Sequence, residues 1–276
     1  MNRILITITA AFLLFSGCDI VEAPYKKEGS ILNSTRKILL EDYTGHQCPN
    51  CPQAGKEIHN LQESYGDNIV FIAVHAGSLA KILIPPTTYN FTTEVGDIWC
   101  DYFEVEKSGY PNGLINRKER SGSKIIPPAN WATVAVEQIN MEPEAEILLN
   151  ASYDQGSRKI SVTASSNILS PVQGEKYYLT IVLTEDSIIR PQRNGDNTIG
   201  TTPYILDYAH NHVLRFSLTP GAWGVALNPD IIDQKSYTQE LDITSDIKPE
   251  NCNIVAFISK GNRDILQAEQ VHLISR

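Results

Sequence analysis

Apolar residues gather along this chain in two different rhythms. Residues 37–43, with Ile38, Leu39, Leu40 and Tyr43, predict a buried strand, and Thr44-Gly45-His46-Gln47 reads as the turn leaving it. Residues 52–66 set Ala54, Ile58 and Leu61 on one face of a helix, and Asp67-Asn68 leads into a second strand over 69–75. An irregular stretch containing Pro85-Pro86 follows. Thr93 then predicts the cap of a helix running to Tyr102, with Val95, Ile98 and Trp99 on its inner side. Residues 108–117 read as a turn entering a short strand. Asn130 predicts the cap of a last helix, whose Trp131, Val134 and Ile139 share an apolar face.

Beyond Met141 the rhythm shortens to a period of two. Alternating segments recur at 145–153, 159–165, 177–184, 212–218, 237–243, 254–259 and 265–274. Gln155-Gly156-Ser157 and Lys260-Gly261-Asn262 read as hairpin turns between strand pairs. Short strands with turn-rich spacing predict an antiparallel sandwich of the immunoglobulin type, although no Cys…Trp…Cys signature accompanies them.

The N-terminus predicts an exported chain. Asn2-Arg3 is a short positive region, and residues 4–15 are an apolar run of signal-peptide length, too short to span a bilayer. Ser16-Gly17 before Cys18 resembles a bacterial lipobox, with Phe15 where Leu is more usual. Cys18 is therefore the expected lipidation site and mature N-terminus, with an ordinary secretory peptide as the alternative. Residues 19–36 are polar and suit a flexible tether. No later segment is apolar enough to cross a membrane, so the lipid is the expected attachment. Lys and Arg number 23 against 32 Asp and Glu. That balance excludes nucleic acid as an expected partner, because phosphate contacts need a basic face.

The chemistry concentrates at Cys48-Pro49-Asn50-Cys51, a C-x-x-C between a strand and a helix with another strand behind. This is the redox arrangement of the thioredoxin fold. Free N–H groups at a helix start favour thiolate, so Cys48 is the candidate attacking residue and Cys51 the resolving one. Pro49 suits the first turn of the helix. Asp42 lies six residues before Cys48, where thioredoxin-like folds carry a buried carboxylate that accepts the second cysteine's proton; Glu41 points to the other side of the strand. Tyr110-Pro111 stands where such folds carry a cis-proline that shapes the docking face, and it also reads as an ordinary turn. Thiol–disulfide exchange of this kind calls for no cofactor, and its expected partners are protein thiols or disulfides.

A metal site is the chemical rival. His46, Cys48 and Cys51 offer three ligands of copper or zinc type, with no second C-x-x-C and no identifiable fourth ligand. His75 reads as a polar strand end, and His210-Asn211-His212 as a solvated strand entrance. Cys100 and Cys252 are expected as separate buried thiols. Trp99, Trp131 and Trp223 are expected in packing rather than in a ligand site. The expected division is 1–17 signal peptide, 18–34 lipidated tether, 35–141 thioredoxin-like domain and 142–276 β-sandwich domain.

Residues 41–52, taken with the lipobox, resemble the Omp-twenty-eight-related outer-membrane lipoproteins of Gram-negative bacteria. Gly109-Tyr110-Pro111-Asn112-Gly113 with Asn116-Arg117, and residues 251–257 followed by 265–268, are similar to that family as well. The resemblance spans nearly the whole mature chain. It implies an outer-membrane lipoprotein facing the surface or the periplasm, with a thioredoxin-like domain followed by a β-domain. Two functions stand open. One is a membrane-anchored thiol–disulfide oxidoreductase; the other is an adhesin or binding lipoprotein in which Cys48–Cys51 is a structural disulfide.

Overall fold

The computed structural model describes residues 35–242 and 245–274. The expected signal peptide, Cys18 and the tether to residue 34 lie outside the described residues, as does Ile243 at the end of one expected strand.

The fold is mixed α/β and rich in sheet. Its first half runs β1 (Ile38–Thr44), α1 (Cys51–Tyr65), β2 (Ile69–His75), α2 (Ser78–Lys81), α3 (Glu94–Tyr102), α4 (Val105–Ser108), β3 (Asn112–Ile115), β4 (Ile125–Ile126) and α5 (Trp131–Ile139). The second half opens with β5 (Ala145–Asp154), β6 (Lys159–Ile168) and β7 (Tyr177–Glu185). Four two-residue strands follow: β8 (Ile188–Ile189), β9 (Gln192–Arg193), β10 (Tyr204–Ile205) and β11 (Ala209–His210). The chain ends with β12 (Val213–Ser217), β13 (Val225–Leu227), β14 (Asp233–Glu240), β15 (Cys252–Lys260) and β16 (Ile265–His272). All seven alternating segments are strands. Among the described residues no helix is long and apolar enough to cross a membrane.

One sheet runs through both halves, in the order β16-β15-β7-β12-β2-β1-β3-β4, with β13 also on β7. β1 lies parallel to β2 and antiparallel to β3. Every residue of β1 and β2 is buried, which explains the apolar run of β2. The join is β12, which lies parallel to the free edge of β2 at Val213 and Ala73. The Ala73 N–H also donates to the His212 carbonyl at 2.8 Å.

The core follows the sheet. Leu39, Val70, Ile72 and Trp99 of the first half pack in one cluster with Val182, Leu214, Val255 and Phe257 of the second. On the other face of the first half, Ala54, Ile58 and Leu61 of α1 meet Trp131 and Val134 of α5 over Leu40 and Phe71. The sheet β14-β6-β5 covers the second half, where Ile147, Leu149, Ile160 and Val162 face Leu179, Ile181, Ile254 and Ala256.

Several local expectations change. α1 begins at Cys51, with Asn50 at its N-cap, so Cys48 and Pro49 precede the helix and Pro52 is the first-turn proline. Pro52 fits there because its missing N–H would lack a partner anyway. In α3 the Thr93 hydroxyl accepts from the Gly96 N–H at 3.0 Å, as expected of a cap. The helix buries Gly96, Trp99 and Cys100, which rotates Ile98 outward to 37 % exposure. Asn130 occupies the N-cap of α5 but makes no side-chain cap bond, because a short 3₁₀ turn over Pro128–Asn130 already leads into the helix. β14 begins at Asp233, four positions before the expected strand start. It pairs with β6 at the edge of its sheet and is largely exposed, so its polar residues carry little hydropathy signal.

Candidate functional site

Cys48 and Cys51 form a disulfide with a Cα–Cα distance of 5.4 Å. The turn that delivers them leaves the end of β1 and packs tightly on α2. A Cβ on Gly45 would stand 2.6 Å from the Leu79 carbonyl carbon, so only glycine fits. The Gln47 N–H donates to the Leu79 carbonyl at 3.1 Å, and the Cys48 N–H to the Gly45 carbonyl at 2.9 Å. Cys100 and Cys252 are separate, buried free thiols.

The disulfide is covered. Cys48 is 0 % exposed and Cys51 4 %. The cover is the excursion over 188–212, which folds back onto the turn 45–49 and satisfies its carbonyls. Gln192 Nε2 donates to the carbonyl of Cys48 at 2.9 Å and to that of Gly45 at 3.3 Å. The Arg193 N–H donates to the His46 carbonyl, and the Gly195 N–H to the Pro49 carbonyl, each at 2.8 Å. Asn194 braces the loop from within through the carbonyls of Asp196 and Gly200.

Behind the disulfide lies a cavity of about 90 Å³ between α1, the ends of β1 and β2, and residues 208–212. Asp42 and Cys51 both line it. Asp42 sits in β1 opposite Ala73 of β2 and Gly113 of β3, and its Oδ1 is buried with no hydrogen-bond partner. Burial pushes its carboxyl up to about 7, because a charge without a partner is costly away from water. The neighbouring Glu41 instead meets Arg117 in a bidentate pair, Nε to Oε2 at 2.7 Å and Nη2 to Oε1 at 2.6 Å. The two carboxylates of β1 thus part by face, one neutralised by an ion pair and one left to titrate.

The histidines differ from expectation. His75, His210 and His212 are buried, so neither the polar strand end nor the solvated entrance holds. The cause is the same excursion, which brings His210 and His212 over the ends of β1 and β2. His75 stacks on Phe91 at 4.4 Å between ring centroids, and His210 lies 4.4 Å from Phe91 and 5.4 Å from His75. Burial lowers all three basicities, taking His210 to about 3, so these imidazoles are neutral at physiological pH. His46 is buried too, with Nε2 and the Ile82 carbonyl 2.9 Å apart. Among the described residues no three His, Cys, Asp or Glu side chains are grouped to hold a metal ion.

Tyr208 closes the cavity from above. A Cβ on Gly55 would stand 2.5 Å from its hydroxyl oxygen, so Gly55 makes room for it on α1. Its own hydroxyl is pushed up to about 12, first by burial and then by the Asp42 charge. Pro111 follows a cis Tyr110-Pro111 bond and enters β3, whose Asn112 pairs with Tyr43 near the same end of β1. The structure therefore gathers Cys48, Cys51 and Asp42, and sets Pro111 at the same end of the sheet. Sequence reasoning missed Gln192, Tyr208 and the burial of His210. The available signal was length, since residues 186–212 separate two strands by far more than a hairpin needs.

Two solved structures align over 89 % of this chain. One is HBP35 of Porphyromonas gingivalis, with a TM-score of 0.62, 18 % identity and 77 % of that chain covered. The other is protein AGR_C_4864 from Agrobacterium tumefaciens, with a TM-score of 0.52, 10 % identity and 98 % of that chain covered. At these identities the likeness is one of fold. A domain of the outer membrane lipoprotein Omp28 from Porphyromonas gingivalis aligns over 48 % of this chain and 88 % of its own, with a TM-score of 0.34 and 22 % identity. No curated protein matches the chain. The family described as Outer membrane protein Omp28 matches residues 99–275, more than half of the sequence, and the chain belongs to this family of outer membrane proteins.

Proposed function

We propose that this outer membrane protein is a lipid-anchored thiol–disulfide exchange protein acting through Cys48–Cys51. Asp42 carries the reading. A disulfide that only braces a loop has no use for a buried, unpartnered carboxyl group beside it, and burying such a group costs stability. Exchange does have a use for it. When Cys51 attacks a mixed disulfide its proton passes to ionised Asp42, and when the Cys48–Cys51 bond is reduced, protonated Asp42 returns a proton to the Cys51 thiolate. A carboxyl held near pH 7 supplies both forms at working pH.

The topology supports a thioredoxin-like first half: a C-x-x-C after the central β1, a parallel β2, an antiparallel β3 and a helix behind the disulfide. In this reading β12 completes the edge of that sheet, and the second half is an immunoglobulin-type sandwich. The family match begins at residue 99 and does not reach the cysteines, so the exchange reading rests on the site itself. Cys18 is the proposed lipid attachment, and Pro111 borders the docking face. A protein partner must first displace residues 192–195 from the turn.

One observation favours the structural-disulfide alternative in a binding protein, namely the complete burial of Cys48. Reduction of the folded chain separates the two readings. Folded protein is incubated with reduced thiols, both small and protein-borne, and opening of Cys48–Cys51 is followed by alkylation and mass. Exchange predicts opening without global unfolding, slowed about tenfold near neutral pH in Asp42→Asn. A bond that opens only at the rate of global unfolding supports the structural alternative instead.

A further inference from the structure

We propose that the Cys48–Cys51 disulfide takes small, amine-bearing thiols as its substrate, admitted through the cavity beside Asp42 to the sulfur of Cys51 rather than Cys48. This inference rests on the exchange reading above, names its substrate class and, for small thiols, exchanges the roles of the two cysteines, so that Cys51 carries the mixed disulfide. Cys48 is sealed: it does not line the cavity, and the carbonyls around it are taken by Gln192, Arg193 and Gly195. Cys51 lines the cavity wall with Asp42, and exposed His59, Gln62 and Asn211 form the mouth. A volume of about 90 Å³ holds several waters or the few heavy atoms of a short thiol. It excludes a polypeptide loop.

The lining also states a polarity. Asp42 Oδ1, His75 Nδ1 and His210 Nε2 are buried atoms without hydrogen-bond partners, and buried polar atoms of this kind call for an occupant. A carboxyl group and neutral imidazoles offer acceptors, which suits an amine. In the first step the incoming thiolate bonds to Cys51 Sγ, the Cys48–Cys51 bond breaks, and Cys48 leaves as a thiolate in the turn ahead of α1. A second small thiolate then attacks the sulfur of the bound thiol. A small disulfide departs, and Cys51 leaves as a thiolate that takes its proton from Asp42. Two thiolates are oxidised, one protein disulfide is reduced, and the reverse sequence lets a small disulfide reoxidise the protein.

The test uses the full chain with cysteamine as the small thiol and reduced thioredoxin as the protein thiol. At neutral pH and equal thiolate concentration, cysteamine should open the disulfide about tenfold faster than thioredoxin. Gln62→Trp at the mouth should slow cysteamine by a similar factor and leave the thioredoxin rate unchanged. With cystamine as oxidant, Cys48→Ala should carry the adduct on Cys51, and Cys51→Ala should carry none on Cys48. Faster opening by thioredoxin, indifference to Gln62→Trp, or an adduct on Cys48 would overturn the small-thiol assignment while leaving exchange intact. Failure of both reagents on the folded chain would remove the exchange reading and this inference together.

Discussion

Replacing Asp42 by Asn should make this protein more stable and less active, and the gain should depend on pH in a way fixed by the burial of one carboxyl group. In the folded chain the Asp42 carboxyl is pushed up to about 7 by burial, against about 3.9 in an unfolded chain. Between those values the folded state holds a proton that the unfolded state has released. Stability from this group is therefore fully present below about pH 4, falls by about 1.4 kcal/mol per pH unit, and is lost once pH passes about 7. The whole interval corresponds to about 4 kcal/mol at the alkaline end. The amide introduced by Asp42→Asn does not titrate, so the stability gap between variant and parent should widen by about 2.3 kcal/mol from pH 5 to pH 7 and level off near pH 8. For a chain of this size that is a rise in relative Tm of roughly 5–9 °C. Urea or thermal unfolding of both proteins at pH 5, 6, 7 and 8, with the disulfide intact, reads the gap directly. Taking the difference cancels every other titrating group. A gap that stays constant from pH 5 to pH 8 would show that Asp42 is hydrated or paired in the folded state, and would remove the argument for its role.

The Arg117 guanidinium lies against the rings of Trp99, Phe103 and Phe257, and Arg117→Met should leave its partner Glu41 buried and uncompensated, costing about 3–5 kcal/mol; the double variant with Glu41→Gln should recover much of the loss in urea unfolding. Gln192→Ala removes the donor to the carbonyls of Gly45 and Cys48 and should cost about 1–3 kcal/mol. The same variant should raise alkylation of reduced Cys48, measured by mass spectrometry. Cys18→Ala should move the protein from the membrane to the soluble extracytoplasmic fraction, checked by fractionation, and unchanged membrane association would count against the lipid anchor.

The C-x-x-C and Asp42 were legible because residues 42–51, a strand end and a turn into a helix, place them together without help from the rest of the chain. β2 was legible for a related reason: buried on both faces, it shows as a plain apolar run over Ile69–His75. The cover was not legible. Its four strands are two residues long, too short for any period to register. Its grip on the turn runs through backbone N–H groups and one glutamine, which have no hydropathy signature. The imidazoles of His75, His210 and His212 read as polar in any window. Only the fold shows that Phe91 and Phe71 lie against them. The seating of β12 on β2 rests on the single register pair Val213 and Ala73, which no local pattern announces. Arg117 hides for the opposite reason, since a charged side chain at the end of a short strand suggests solvent rather than an aromatic enclosure.

The 144 positions between Cys48 and Gln192 carry a consequence for biosynthesis. A chain that emerges from its export pore N-terminus first presents both cysteines long before the residues that will hide them exist on the same side of the membrane. During that interval the thiols stand open to the oxidising machinery of the compartment, and the bond can be made with no loop to displace. Arrival of Gln192 and Gly195 then restricts that access, so the oxidation state acquired during synthesis becomes the one the finished molecule starts its life with.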